Sequence, residues 1–295
     1  MAKHTTIAAI GVLMGNAGRI EGAQEGVRLM KQHIKYGENV VDAGDISPNE
    51  KTGICRGLKN LKQVACVNRQ LRKRSMDESA QGRVPFTLGG DHTCALGSIA
   101  ATCESYGRDH FGVIYLDAHG DLNTPETSDT GNLHGMPLAA SMGFGDEELI
   151  GVAHEKAIPQ HVLMLAQRNL DEGERELIAR EGISLIDCDE INREGAEKIL
   201  MKIRDFITEH DIRNLHFSID IDALDGEIAP GTGVPEPNGL SLNDMFAIVK
   251  GVAEMDEMAS IELVEFNPSL DIDGKTENIC YQLIDTIIAT VCKKS

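Results

Sequence analysis

Residues 111–125, FGVIYLDAHGDLNTP, carry an apolar run that ends in Asp117, His119 and Asp121, each two positions from the last. Alternate side chains of an extended segment face the same side, so the spacing predicts that two carboxylates and an imidazole converge. Asp220 and Asp222 in SIDIDALD repeat the pattern, and His92 follows the Gly-Gly pair of GGDHT. Carboxylates gathered in this way repel one another and are costly to bury unless a cation lies between them. Together these residues predict a site for two divalent ions that share bridging carboxylates. An oxygen-rich set with two imidazoles and no thiolate favours manganese over a structural zinc site and leaves iron, cobalt and nickel open. Taken singly the pieces are ordinary: Asp91 and His92 read as the start and cap of a helix, and D-x-D is common at strand ends. Their concurrence at three strand ends is what calls for a metal. His4, His33, His110, His154, His161, His210 and His216 lack such company and are expected in surface or core roles.

The elements that must hold these residues are visible as short apolar runs. They are TIAAIGVL (6–13), VPFTL (84–88), FGVIYL (111–116), HVLMLA (161–166), ISLID (183–187), LHFSI (215–219) and SIELVEF (260–266). Between most of them lie stretches with helical spacing, such as 95–106, 195–210 and 242–255. Alternating strands and helices predict a parallel sheet with helices on both faces, and ligands then bind beyond the carboxyl ends of the strands. With no low-complexity linker, internal repeat or break in composition, residues 1–295 read as one α/β domain.

Composition narrows the partners. A formal net charge of -19 with no basic stripe argues against nucleic acid and against an anionic membrane surface. Seven cysteines without a C-x-x-C pair suit a reducing, cytoplasmic compartment more than a disulfide framework. The opening MAKHTTIAAIGVLMG reads as a first buried strand rather than a signal peptide, and no apolar run approaches the roughly 20 residues that span a bilayer.

The ordered set GGDHT, DAHGDLNTPETSDTGNLHGMP, SIDIDALD and LVEFNPSL resembles the ureohydrolases, and among them the arginases, from the Gly-rich turn near residue 11 to the C-terminal helix. The resemblance implies a three-layer α-β-α fold with a mostly parallel sheet, two Mn²⁺ per chain and a homotrimer. It implies hydrolysis of L-arginine to L-ornithine and urea by a metal-bridging hydroxide. Position by position, the metal ligands would be His92, Asp117, His119, Asp121, Asp220 and Asp222. Asp121 would also relay a proton to the departing amine, His134 would shuttle protons to solvent, and Glu265 would pair with the guanidinium. A lone acid in the apolar LVEFN is itself in want of a cationic partner.

By the same resemblance Asn123, Thr130 and Asn132 would hold the α-carboxylate, and Asp171 and Glu174 the α-amino group. A decarboxylated substrate such as agmatine has no use for the first three. Val234 stands where arginases usually carry threonine beside the guanidinium, Gly226 where they carry proline, and Asn169 at a position often acidic. Two other readings compete: a ureohydrolase acting on agmatine, guanidinobutyrate or formiminoglutamate, and a non-catalytic metal-binding protein on the same fold. A two-metal phosphoesterase would need basic groups for phosphate, and none accompanies these motifs.

Overall fold

Burial on both faces turns the apolar runs into the strands of one parallel sheet. A computed structural model describes residues 5–48 and 51–293, so His4 lies outside the described residues. The strands are β1 (Thr6–Val12), β2 (Val40–Ile46), β3 (Ile54–Cys55), β4 (Leu58–Lys59), β5 (Arg83–Gly89), β6 (Phe111–Leu116), β7 (Val162–Leu165), β8 (Ser184–Ile186), β9 (Asn214–Asp220) and β10 (Met258–Val264). Eight pair in parallel in the order β2-β1-β5-β10-β9-β6-β7-β8, while β3 and β4 form a separate antiparallel hairpin. β6 and β10 are buried along their whole length, as strands covered on both faces must be. The strand β2 has no counterpart among the apolar runs because it is an edge: only its two ends, Val40 and Ile46, are buried, and Asp42, Gly44 and Asp45 lie between.

Side-chain alternation splits the core in two. Ile7, Ile114, Phe217 and Ile261 pack against the helices Ala23–His33, Ala196–Glu209, Leu242–Ala253 and Lys275–Val291. Ile10, Val12, Phe111, Val113 and Tyr115 face the helices Leu61–Ala80 and Ala95–Tyr106. The result is the expected three-layer α-β-α arrangement around a parallel sheet. None of the seven cysteines forms a disulfide. Among the described residues no helix is long and apolar enough to cross a membrane.

In the central strands the face turned toward helix Ala95–Tyr106 is polar. Thr102 Oγ1 lies 2.6 Å from Ser260 Oγ, which lies 2.7 Å from His216 Nδ1, and His216 Nε2 is 3.3 Å from Glu262 Oε1. His216 therefore takes a core position, at 0% exposure, as part of a buried polar seam. Burial opposes ionisation of Glu262, but the charge and hydrogen bond of His216 hold it below the ordinary carboxylate value.

Sheet order decides what meets what. β5, β10, β9 and β6 are consecutive neighbours, so the loops leaving their carboxyl ends carry Asp91–His92, Glu265, Asp220–Asp222 and Asp117–Asp121 to one place.

Candidate metal centre

His92 anchors the site. Beyond β5 its Nδ1 lies 3.0 Å from Asp117 Oδ2, 3.1 Å from Asp121 Oδ2 and 3.1 Å from Asp220 Oδ2. Its other nitrogen, Nε2, is 2.8 Å from Ser218 Oγ, and its ring stacks on Tyr115 with centroids 4.6 Å apart. The Tyr115 hydroxyl donates to Asp121 Oδ2 at 2.7 Å. A second group forms around His119, whose Nδ1 is 3.1 Å from Asp222 Oδ2 and 3.5 Å from Asp117 Oδ1. Asp117 belongs to both groups. Asp91 faces away, accepting hydrogen bonds from the backbone N–H of Ala17 and Thr93, so it is the cap and His92 the candidate ligand.

The convergence arises differently from simple strand alternation. β6 ends at Leu116, Ala118 bends the chain, and Asp121 reaches the cluster with a φ of 52°, in the left-handed region. Such a backbone is sparsely populated outside glycine and is typical of over-determined functional sites. Glu265 is held in the same way at φ 65°. Asp222 joins Asp220 because Ile221–Ala223 is a 3₁₀ turn in which the Asp222 N–H donates to Asp220 Oδ1 at 2.8 Å.

Charge and hydrogen bonding both fit a cation. Four nearly buried carboxylates face two imidazoles, and His92 Nδ1 and Asp117 Oδ2, though close, make no hydrogen bond. Burial would lower the His92 value, yet Asp117, Asp121 and Asp220 raise it well above 6.5; burial also opposes His119, whose value Asp222 and Asp117 raise. Burial works against the charge of Asp117, but the two imidazoles hold it well below the usual carboxylate range. The remaining acids move up: Asp220 strongly and Asp121 less, both through burial and then neighbouring carboxylates, and Asp222 to about 6, through burial partly offset by His119. The donor set is that of an oxygen-rich, imidazole-containing divalent site with shared carboxylates.

Above these groups opens a cavity of about 410 Å³ lined by His92, His119, Asp121, Asn123, Thr130, Asn132, His134, Asp171, Glu174, Asp220, Asp222, Val234 and Glu265. Asp117 lies beneath it, at 1% exposure. The structure thus brings the sequence-derived residues to one site, although their partners differ from expectation in places. Asn123 Nδ2 donates to Asp171 Oδ2 at 2.8 Å, which ties together residues assigned to opposite ends of the substrate. Glu174 accepts from the backbone N–H of both Leu122 and Asp171, at 3.0 Å and 2.9 Å, and burial pushes it up to about 7. Glu265 Oε1 accepts the His92 N–H at 2.8 Å and lies 3.6 Å from His134 Nδ1. His134 itself is raised, burial opposing the change and Glu265 driving it.

Several neighbours were not apparent in the sequence. Tyr115 and Ser218 sit inside apolar runs at the same parity as the site, which is the one signal that could have drawn attention to them. Arg19, Ser128 and Asp129 line the cavity from loops whose composition marks nothing. Arg168 donates to the carbonyls of Asp222, Leu224, Glu236 and Pro237 at 2.8–3.1 Å, clamping the loop that carries Asp222.

Residues 7–289 match the model of the arginase family. An arginase of Bacillus caldovelox is 39% identical over 285 residues, covering 94% of this chain and 92% of the relative. The chain belongs to the arginase family. The crystal structure of the Bacillus subtilis arginase superposes with a TM-score of 0.88 at 35% identity, over 96% of this chain and 98% of that one. The Entamoeba histolytica arginase, in complex with L-ornithine, gives 0.88 at 27% identity over 99% of both. Membership of the arginase family makes the chain a hydrolase of a metal-dependent kind, with the clusters around His92 and His119 as its candidate metal ligands.

Proposed function

We propose that the chain is a cytoplasmic, homotrimeric, single-domain hydrolase that converts L-arginine to L-ornithine and urea with two manganese ions. The observation that carries the reading is Asp117, shared between two imidazole-containing groups at the floor of an acidic cavity. His92, Asp117, Asp121 and Asp220 would hold one ion, and His119, Asp222 and the shared carboxylates the other. Two divalent cations supply acidification of water, giving a nucleophile near neutral pH for a resonance-stabilised carbon.

The chain's own groups do the rest. Glu265 binds the guanidinium; its left-handed backbone and its bond from the His92 N–H fix the carboxylate in place. Asp121, oriented by the Tyr115 hydroxyl, takes up a proton and delivers it to the departing amine nitrogen. His134, at the cavity wall beside Glu265, exchanges protons with solvent. Asn123, Thr130 and Asn132 bind the α-carboxylate, and Asp171 the α-amino group. Glu174 supports this end by fixing Asp171 and Leu122. Val234 lines the guanidinium end without supplying a hydrogen bond.

Urea release from L-arginine and from agmatine, measured in parallel after chelation and after restoring manganese, tests the reading. Manganese-dependent turnover of arginine is expected; preference for agmatine, or full activity without metal, would overturn it.

A further inference from the structure

Acids dominate the cavity lining, and among the described residues Arg19 is its single lysine or arginine. No acidic partner of Arg19 exists among the described residues, in a chain of net charge -19. A second cation, Lys59, stands behind the same wall. The β3–β4 hairpin carrying it abuts the segment Thr130–Asn132: the Lys59 N–H donates to Gly131 O at 3.0 Å. Gly131 sits at φ +64°, where a Cβ would come within 2.1 Å of Gly57 O. Lys59 Nζ donates to Asn132 Oδ1 at 2.5 Å and, among the described residues, pairs with no carboxylate.

An ammonium has donors only, so this bond decides which end of the Asn132 amide is oxygen. The Nδ2 donors are then turned elsewhere, with no protein acceptor among the described residues, and Asn132 lines the cavity. Thr130 Oγ1 accepts the Asn132 N–H at 3.2 Å, which leaves its hydroxyl hydrogen free as well. Asp129 at the same mouth is exposed, where water screens its charge.

We propose that Lys59, by fixing the Asn132 amide, is a positioning residue for the carboxylate-binding wall and that Arg19 steers the anion to it, so that the two together strengthen the preference for guanidino acids over guanidino amines. The assignment rests on the reading of the cavity given above. Lys59 is a positioning residue: it holds the amide in the orientation that donates. Arg19 supplies long-range attraction at the entrance.

The test uses the full chain loaded with manganese and the variants Lys59→Met, Lys59→Arg and Arg19→Met. KM and kcat are measured for L-arginine and agmatine, and binding of L-ornithine and 1,4-diaminobutane by calorimetry. Lys59→Met is expected to raise KM for arginine and weaken L-ornithine by about tenfold, with kcat changing by less than about threefold, because donors left free to rotate no longer read the anion. Agmatine and 1,4-diaminobutane should be unaffected, Lys59→Arg should recover most of the loss, and the smaller effect of Arg19→Met should vanish at high salt. Equal losses with and without the carboxylate, or no loss on arginine, would overturn the proposal. Should Lys59→Met fail to fold, Lys59→Leu, which also lacks a donor, gives the same comparison. A parent chain that prefers agmatine would sink the underlying reading too, whereas an arginine-selective parent whose Lys59 variants keep that selectivity would sink only the role of Lys59.

Discussion

Val234 and His134 show how much one side chain decides here. Val234 lines the cavity, so under the proposed function a hydroxyl placed there would face the guanidinium. One neutral hydrogen bond is worth about 0.5–1.5 kcal/mol, and Val234→Thr should therefore raise kcat/KM about two- to tenfold with melting temperature and metal content unchanged. Steady-state kinetics and a thermal melt on that one variant check it; a lower melting temperature without a kinetic gain would make Val234 a packing residue. His134→Asn should keep its manganese and lose turnover by about 100-fold or more, which metal analysis beside kinetics will read. The raised value of His134 also has a sign for stability. A histidine that binds its proton more tightly when folded contributes stability below about pH 6.5 that is lost as pH climbs through the raised value. Urea denaturation of the metal-stripped chain at about pH 6 and about pH 9 should show that loss, and His134→Asn should reduce it, leaving the part that the raised Asp222 and Glu174 contribute. The ligands were legible in sequence because acids gathered at the ends of apolar runs are too costly to bury without a cation to hold. Lys59, Arg19 and Ser218 were not, since a lysine in a short hairpin, an arginine in a loop and a serine in a strand follow no pattern until tertiary contacts give them neighbours.

At the scale of elements, seven of the eight sheet strands follow from apolar runs, and the eighth, β2, escapes because an edge strand need not alternate or stay apolar. The loops after the strands are the reverse case. Alternation predicts that Asp117 and His119 share a side, but the strand stops at Leu116, and neither the turn at Ala118 nor the left-handed backbone at Asp121 that brings the ligands together has a compositional mark. The loop after β9 is fixed by Arg168, whose fork ties the carbonyls of Asp222 and Leu224 to those of Glu236 and Pro237. Lysine cannot reproduce a planar fork with five donors. Arg168→Lys is expected to destabilise the fold by about 3 kcal/mol or more and to weaken manganese binding about 10- to 100-fold. Denaturant melts and metal titration calorimetry separate the two effects, and unchanged metal affinity would show that the clamp holds shape without tuning the ligands.

Across the whole molecule, four carboxylates facing two imidazoles make the metal-stripped protein a strained state. Each ion bound at a hundredfold excess over its Kd adds about 2.7 kcal/mol, so stripping both should lower the melting temperature by about 10 °C, restored by manganese. Asp220→Asn, which replaces an acid already pushed toward its neutral form, should melt no lower than the stripped parent while losing most of the manganese-dependent gain. Differential scanning calorimetry with and without chelator reads both, and a stripped variant that melts well below the stripped parent would show that Asp220 has a structural role of its own. The polar seam behind His92 has a consequence for how such a chain can diverge. On the face of Ile7, Ile114, Phe217 and Ile261, volume-conserving swaps cost less than about 1.5 kcal/mol, so drift is easy there. On the other face Thr102, Ser260, His216 and Glu262 are linked in series, and a single replacement leaves a buried polar neighbour short of a partner. In a random library selected for activity, accepted changes should therefore collect on one side of the sheet, and any attempt to rebuild the enzyme must carry the central strands and helix Ala95–Tyr106 across as one inseparable part.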